Sequence, residues 1–229
     1  MNIDTISFDL DNTLCRYKHT PEQVLSDSFD TVGIEPMFDL DAYVGQFDTF
    51  AEDAPDMASL RRRCFAHLAD EAGYDPAVGE AVAEAYNSQR ESPEMVWRDG
   101  MDQLFESMTA EYSVVVVTNG LPDAQKAKLE SLDILEDLDG VVYGGGTHPR
   151  KPDPTPFHVA LESVDATPEQ AVHIGNSLEH DVAGANRAGL TSVWFPDHSW
   201  RSERPEDVSI EPDFQVLNAD ELREIPWIR

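Results

Sequence analysis

Basic residues are scarce in this chain. Across 229 residues, 16 lysines and arginines face 45 aspartates and glutamates, giving a formal net charge of −29 and a pI near 4.2. Only four of the bases are lysines. The acids are spread from end to end rather than gathered in a tail, so they describe a uniformly acidic surface. Such a surface repels a phosphate backbone, which excludes nucleic acid as an expected partner. It also suits a salty host, because the screening length falls to about 3 Å at 1 M salt. Stability is therefore expected to rise from dilute to multimolar salt, and equal stability in both would refute that habitat.

Cysteine is nearly absent. Cys15 and Cys64 match no metal or redox spacing, which excludes a thiolate centre and leads to the expectation of free thiols in a reducing compartment. No apolar run approaches the length of a membrane span. Asp4 and Asp9 stand where a secretory signal would be basic and then apolar, so a cytoplasmic protein is expected. There is no internal repeat and no low-complexity stretch. At 41% hydrophobic the chain has enough apolar surface for a packed interior.

What is present falls into two textures. From about Arg16 to Pro93 the pattern is helical throughout. Thr20-Pro21-Glu22-Gln23 is a capping box with proline at the first helical position, followed by Val24, Leu25, Phe29 and Val32 on roughly one face. A second helix begins near Asp39 with Leu40, Tyr43, Val44, Phe47 and Phe50. A third carries Leu60, Cys64, Phe65 and Leu68, and a fourth Val78, Val82 and Tyr86. These four amphipathic helices predict a small bundle. Arg61-Arg62-Arg63 reads as a solvated face paired with nearby acids, with a cationic contact to an anionic ligand as the other reading.

Outside that segment strands and helices alternate. Ile3 to Phe8, Val114 to Val117, Val141 to Tyr143, Ala171 to Ile174 and Thr191 to Trp194 read as strands. Met101 to Glu111, Asp123 to Leu132, Pro154 to Val164 and Asp181 to Ala188 read as helices, Asn218 opens a last short one, and Pro196 to Pro212 reads as a surface loop. This rhythm predicts an α/β fold, a Rossmann-like parallel sheet flanked by helices. The expected organisation is a core of residues 1–16 and 94–229 with a four-helix insert at 17–93.

In open parallel sheets ligands bind outside the carboxyl ends of the strands. The polar clusters sit there: Asp9 and Asp11 after the first strand, Thr118-Asn119-Gly120 after the second, Lys151-Pro152 beyond the third, and Gly175-Asn176-Ser177 with Glu179 and Asp181 after the fourth. Two carboxylates one residue apart repel unless a metal or cation lies between them, and such a pair can divide nucleophilic and proton-transfer work. Taken singly, the same features read as a solvated turn, a helix cap, a solvent lysine and a glycine turn. Four in order, at consecutive strand ends, make chance a poor account.

In these residues the chain resembles the haloacid dehalogenase-like hydrolases. Asp-x-Asp-x-Thr at Asp9 to Thr13, Thr118-Asn119-Gly120, Lys151-Pro152 and Gly175-x-Ser177 with Asp181 match that family's four motifs in order. The insert looks like its helical cap, flanked by hinge segments at Arg16, Lys18 and Pro93 to Asp99. The resemblance implies a Mg2+-dependent phosphatase acting on a small phosphorylated metabolite. Asp9 would attack phosphorus, Asp11 would move protons, and Lys151 would offset charge. Thr118, with the backbone near Asn119 and Gly120 and with Lys151, would hold phosphate oxygens. Mg2+ would lie among the Asp9 carboxylate, the Asp11 carbonyl, Asn176 and Asp181. No membrane partner is implied, and the protein is expected as a monomer or homodimer.

One departure from the pattern matters. Phosphatases of the family usually place aspartate where this chain has Asn176, and an amide oxygen lacks the charge hard cations prefer. Weaker metal binding is expected, helped by Asp181 or Glu179. Two other readings stay open: a metal-free 2-haloacid dehalogenase, against which Asp11 argues because a halide needs no proton, and a catalytically weak binding or regulatory member. His173 reads as a satisfied core residue, while His148 and His180 lie near the expected site.

Overall fold

The structure is a computed structural model that describes residues 3–51, 54–146, 148–197 and 209–226. Contacts divide the chain into two units, one of residues 1–16, 96–120 and 132–229, the other of residues 17–95 and 121–131.

The first unit is built on β1 (Thr5–Phe8), β4 (Ser113–Asn119), β5 (Gly140–Gly144), β6 (Ala171–Gly175), β7 (Thr191–Trp194) and the two-residue β8 (Phe214–Gln215). They form one parallel sheet in the order β5-β4-β1-β6-β7-β8. β4 reads SVVVVTN and its valines are fully buried, as expected of a parallel strand covered on both faces. Helix α5 (Met101–Glu111) lies against one face, where Phe105 meets Phe8 with ring centroids 6.5 Å apart. Helices α7 (Thr155–Ser163) and α8 (Ala183–Ala188) supply Phe157, Ala160, Leu161 and Ala185 to a cluster with Val115, Val117 and Val142. A short α9 (Ala219–Arg223) ends the described chain, capped by Asn218.

Register decides where the chemistry can sit. Phe8 is level with Val116 on one side and Ile174 on the other; β6 runs one residue further, to Gly175, and β4 three further, to Asn119. Strand order reverses at β1, because the chain adds β4 and β5 to one side and then returns to add β6 and β7 to the other. Such a switch point leaves a crevice beyond the strand ends.

The second unit holds α1 (Pro21–Val32), α2 (Leu40–Ala51), α3 (Met57–Glu71), α4 (Pro76–Arg90) and α6 (Pro122–Ser131). The expected capping box is present: Thr20 N–H donates to Gln23 Oε1 at 2.9 Å and Gln23 N–H to Thr20 Oγ1 at 3.3 Å. Its core joins Val24, Leu25, Phe29, Leu60, Phe65 and Tyr86, with Tyr43 edge-on to Phe65 at 5.1 Å. Val44 is the exception to the expected stripe and is exposed. Gly79 lets α4 approach α3 closely, since a Cβ there would meet Phe65 O at 2.1 Å.

Three expectations are corrected. The segment from Arg16 is not all helix: Cys15–Tyr17 (β2) and Met95–Trp97 (β3) pair as a two-stranded ribbon where the chain passes from one unit to the other. Helix α6, expected in the core, groups with the helical unit, because Leu121 and Ala124 join its apolar cluster and Asp123 Oδ2 accepts the Met57 N–H at 3.1 Å. Arg61 is buried, while Arg62 and Arg63 are exposed as read. The expected loop Pro196 to Pro212 falls at 198–208 outside the described residues. Among the described residues no helix is long and apolar enough to cross a membrane.

Candidate active site

Asp9 is the first residue past β1, and its N–H donates to Ile174 O at 2.9 Å, continuing the ladder one step. The chain then turns sharply. Thr13 and Cys15 N–H groups both donate to Leu10 O, and Asn12 takes a left-handed φ of 61°, which asparagine tolerates better than most residues. This turn brings Thr13 back, so that its Oγ1 donates to Asp9 Oδ2 at 3.1 Å and lies 3.3 Å from Asn176 Oδ1.

Lys151 faces the other Asp9 oxygen. Its Nζ donates to Asp9 Oδ1 at 2.8 Å, Asp181 Oδ1 at 2.6 Å and Val117 O at 2.6 Å, which uses all three N–H donors of an ammonium. The lysine is 2% exposed, so this charge is held in low dielectric and its two carboxylates are its compensation. Asn119 fixes the lysine's backbone from both sides, accepting the Lys151 N–H at 2.8 Å and donating Nδ2 to Lys151 O at 2.9 Å.

Asp181 reaches Lys151 because position 175 is glycine. A Cβ there would lie 2.3 Å from Asp181 Cγ. The remaining Asp181 oxygen accepts the Ser177 N–H at 2.9 Å, and His173 Nε2 stands 3.4 Å from Oδ1. His173 is buried, with its other nitrogen 2.8 Å from Ser7 Oγ and its ring edge-on to Phe157.

Burial sets the titration of this cluster. It raises the Asp9 carboxyl above the usual carboxylate range, opposed by Lys151 and helped by Asp181 and Asp11. Burial alone would raise Asp181 too, but Lys151 and His173 outweigh it and hold that carboxyl low. For Lys151, burial works against the charge and the two carboxylates win, so its pKa rises. Burial lowers that of His173, leaving a neutral ring.

Of the residues expected to hold phosphate, Gly120 gives its N–H to Gly144 O at 2.7 Å, and Asn119 commits its side-chain amide to Lys151. Those bonds shape the site. Thr118 differs: it is 1% exposed, and among the described residues its hydroxyl has no hydrogen-bond partner. A buried hydroxyl without a partner near a strand end, one residue after the carbonyl that accepts from Lys151, is suited to binding a ligand.

The donors suit a hard cation. The Asp9 carboxylate and the Asn176 amide oxygen converge on the Thr13 hydroxyl, an oxygen-only set of low charge that would leave water and substrate to complete an octahedron. Among the described residues no three His, Cys, Asp or Glu side chains are grouped as a cation cage. Asp181, expected as a ligand, has both oxygens on protein donors, and its observed work is to hold Lys151. Glu179 is exposed.

Sequence reasoning missed two parts of this unit. His173 satisfies the core as expected, yet its partner is Asp181. Arg98 was read only as part of a hinge. Its guanidinium donates to Asn12 O at 2.7 Å, Phe195 O at 3.1 Å and Pro196 O at 3.1 Å, with Cζ 3.5 Å from the Phe195 ring centroid. It ties the Asp9 turn to the end of β7. An isolated arginine two residues before Gly100 carries no sequence signal for that.

The chain resembles known proteins over nearly its full length. It is 30% identical to a phosphoserine phosphatase of Thermus thermophilus over 207 residues, covering 90% of this chain and 74% of that one. It is 27% identical to a glyceraldehyde 3-phosphate phosphatase of Methanopyrus kandleri, with 97% of each covered. Among solved structures, Bacillus subtilis YfnB bound to magnesium superposes with a TM-score of 0.76 at 23% identity, covering 98% of this chain and 99% of that one, a likeness of fold. The family model described as haloacid dehalogenase-like hydrolase matches residues 3–189. With that match over most of its length and a buried Asp9–Lys151–Asp181 cluster at the sheet's switch point, the chain belongs to the haloacid dehalogenase-like hydrolases.

Proposed function

We propose that the protein is a Mg2+-dependent phosphatase that hydrolyses a small phosphorylated metabolite through an aspartyl-phosphate on Asp9. The observation that carries this reading is the buried Asp9 carboxylate with one oxygen on Lys151 and the other on Thr13. Both contacts hold the group in one orientation, and the ammonium offsets the repulsion between a carboxylate and an incoming phosphate. The phosphatase relatives support the substrate class.

An Asp9 oxygen forms the bond to phosphorus as the ester P–O bond breaks, and Asp11 gives its proton to the departing oxygen. Water then attacks the acyl phosphate, Asp11 takes the proton back, and inorganic phosphate leaves with Asp9 restored. Thr118 donates its hydroxyl to a non-transferred oxygen. Lys151 keeps Asp9 aimed, and Asp181 keeps Lys151 aimed. Asp9, the Asp11 carbonyl and Asn176 would hold Mg2+, which when bound supplies positive charge between the carboxylate and phosphoryl oxygens.

Release of phosphate from an aryl phosphate, with and without Mg2+, tests the reading. The parent should turn over only with metal, and Asp9→Asn should lose about 1,000-fold or more while keeping its fold. Equal turnover by that variant would end the proposal. Activity on a 2-haloacid without metal would replace it with carbon–halogen hydrolysis, and a chain inert to both would be a binding protein.

A further inference from the structure

The helical unit contains a cavity of about 360 Å³ among α3, α4 and α6, lined by Met57, Arg61, Asn87, Arg90 and Ala124 among others. None of its residues belongs to the Asp9 cluster. The two arginines are each only 8% exposed. Arg61 donates Nη1 to Asn87 Oδ1 at 3.1 Å, while its Nε is buried with no partner. Arg90 stacks its guanidinium 3.8 Å over the Tyr17 ring and 5.5 Å from that of Tyr86, and its Nη2 is likewise buried with no partner.

The neighbouring acids are otherwise engaged. Glu84 pairs with the exposed Arg62 at 3.3 Å, and Asp123 accepts the Met57 N–H. Glu91, also at the cavity, is exposed. Among the described residues neither Arg61 nor Arg90 forms a salt bridge. In a chain with 45 acids and 16 bases, two buried guanidiniums without a carboxylate are conspicuous. Arginine stays charged in proteins, so burial cannot be relieved by losing the proton. Tyrosine faces offset part of the cost through cation–π contact, and an anion would offset the rest.

We propose that this cavity binds the carboxylate or phosphate group of a small metabolite, with Arg61 and Arg90 donating to its oxygens. Its volume is within the range of small-molecule sites, and guanidinium forks suit both planar carboxylates and phosphates. This goes beyond the phosphatase reading and stands without it.

Calorimetric titration of the intact chain with malonate and, separately, with inorganic phosphate tests the proposal and distinguishes the two anion types. At least one probe should bind the parent, and its affinity should fall about tenfold or more in Arg61→Gln and Arg90→Gln. Arg62→Gln should bind within about twofold of the parent, and aryl phosphate turnover should hardly change in all three. Should a glutamine variant fail to fold, Arg61→Lys and Arg90→Lys keep the charge but lose the fork, and they should still weaken binding several-fold. The proposal is overturned if neither anion binds the parent, or if binding is indifferent to both arginines.

Discussion

Lys151 and Asp181 meet at 2.6 Å in the interior, and that pair, rather than Asp9 alone, fixes where the ammonium stands. Lys151 is shared between Asp9 and Asp181, so the position of the Asp9 carboxyl depends on a residue that need not touch substrate.

Replacing Lys151 should therefore cost stability as well as activity. Lys151→Met leaves the ionised Asp181 buried without its cation and removes the charge that opposes burial at Asp9, a loss of about 3–5 kcal/mol by analogy with broken buried ion pairs. Urea denaturation should show it, together with a fall in kcat/KM of about 100-fold or more. A variant as stable as the parent would mean the cluster is not paired as observed.

Asp9 should give the pH profile an acid limb near neutrality. Burial pushes its carboxyl up to about 7, so without metal the group is protonated at pH 5 to 6 and ionises as pH rises. The folded state holds this proton across a window, from about 4 to about 7, in which the unfolded chain has lost it. This group's contribution to stability therefore falls as pH rises through that window, while the reactive form accumulates. Mg2+ should move the acid limb of kcat/KM to lower pH. Asp9→Asn should remove this part of the stability profile, as denaturation at pH 5 and pH 8 would reveal.

Thr118→Val separates a functional hydroxyl from a structural one. The group makes no hydrogen bond in the fold, so valine should leave stability unchanged or slightly higher. If the hydroxyl serves phosphate, kcat/KM should drop roughly tenfold, the worth of one hydrogen bond to a charged group. Unchanged kinetics would remove Thr118 from the site.

Asn176→Asp should bring a formal charge to the oxygen that shares the Thr13 hydroxyl with Asp9. Half-maximal activity should then need less Mg2+, on the order of tenfold less. An unaltered metal requirement would place the cation elsewhere.

The sheet and the order of the site were legible because buried parallel strands spell themselves out. Val114 to Val117 cannot face water on either side, and the polar residues that follow stand at the strand's end. Cys15–Tyr17 and Met95–Trp97 were illegible, since three-residue strands show no period. Helix α6 was placed in the wrong unit because Pro122 to Ser131 has almost no apolar face to say what it packs on. The bonds that Gly120, the Asn119 side chain and Asp181 make were illegible for another reason. Residue type says what a group can bond to, while the fold decides which bond it makes. Arg61 and Arg62 are neighbours in sequence about 100° apart around a helix, so one arginine run holds both a buried and a solvated member.

Lys151 and Lys128 are buried, whereas the Lys18 and Lys126 side chains are more than half exposed. An amine-reactive dye or resin should therefore couple to those two lysines and spare Lys151, giving an immobilised enzyme whose buried Asp9–Lys151–Asp181 cluster is left unmodified.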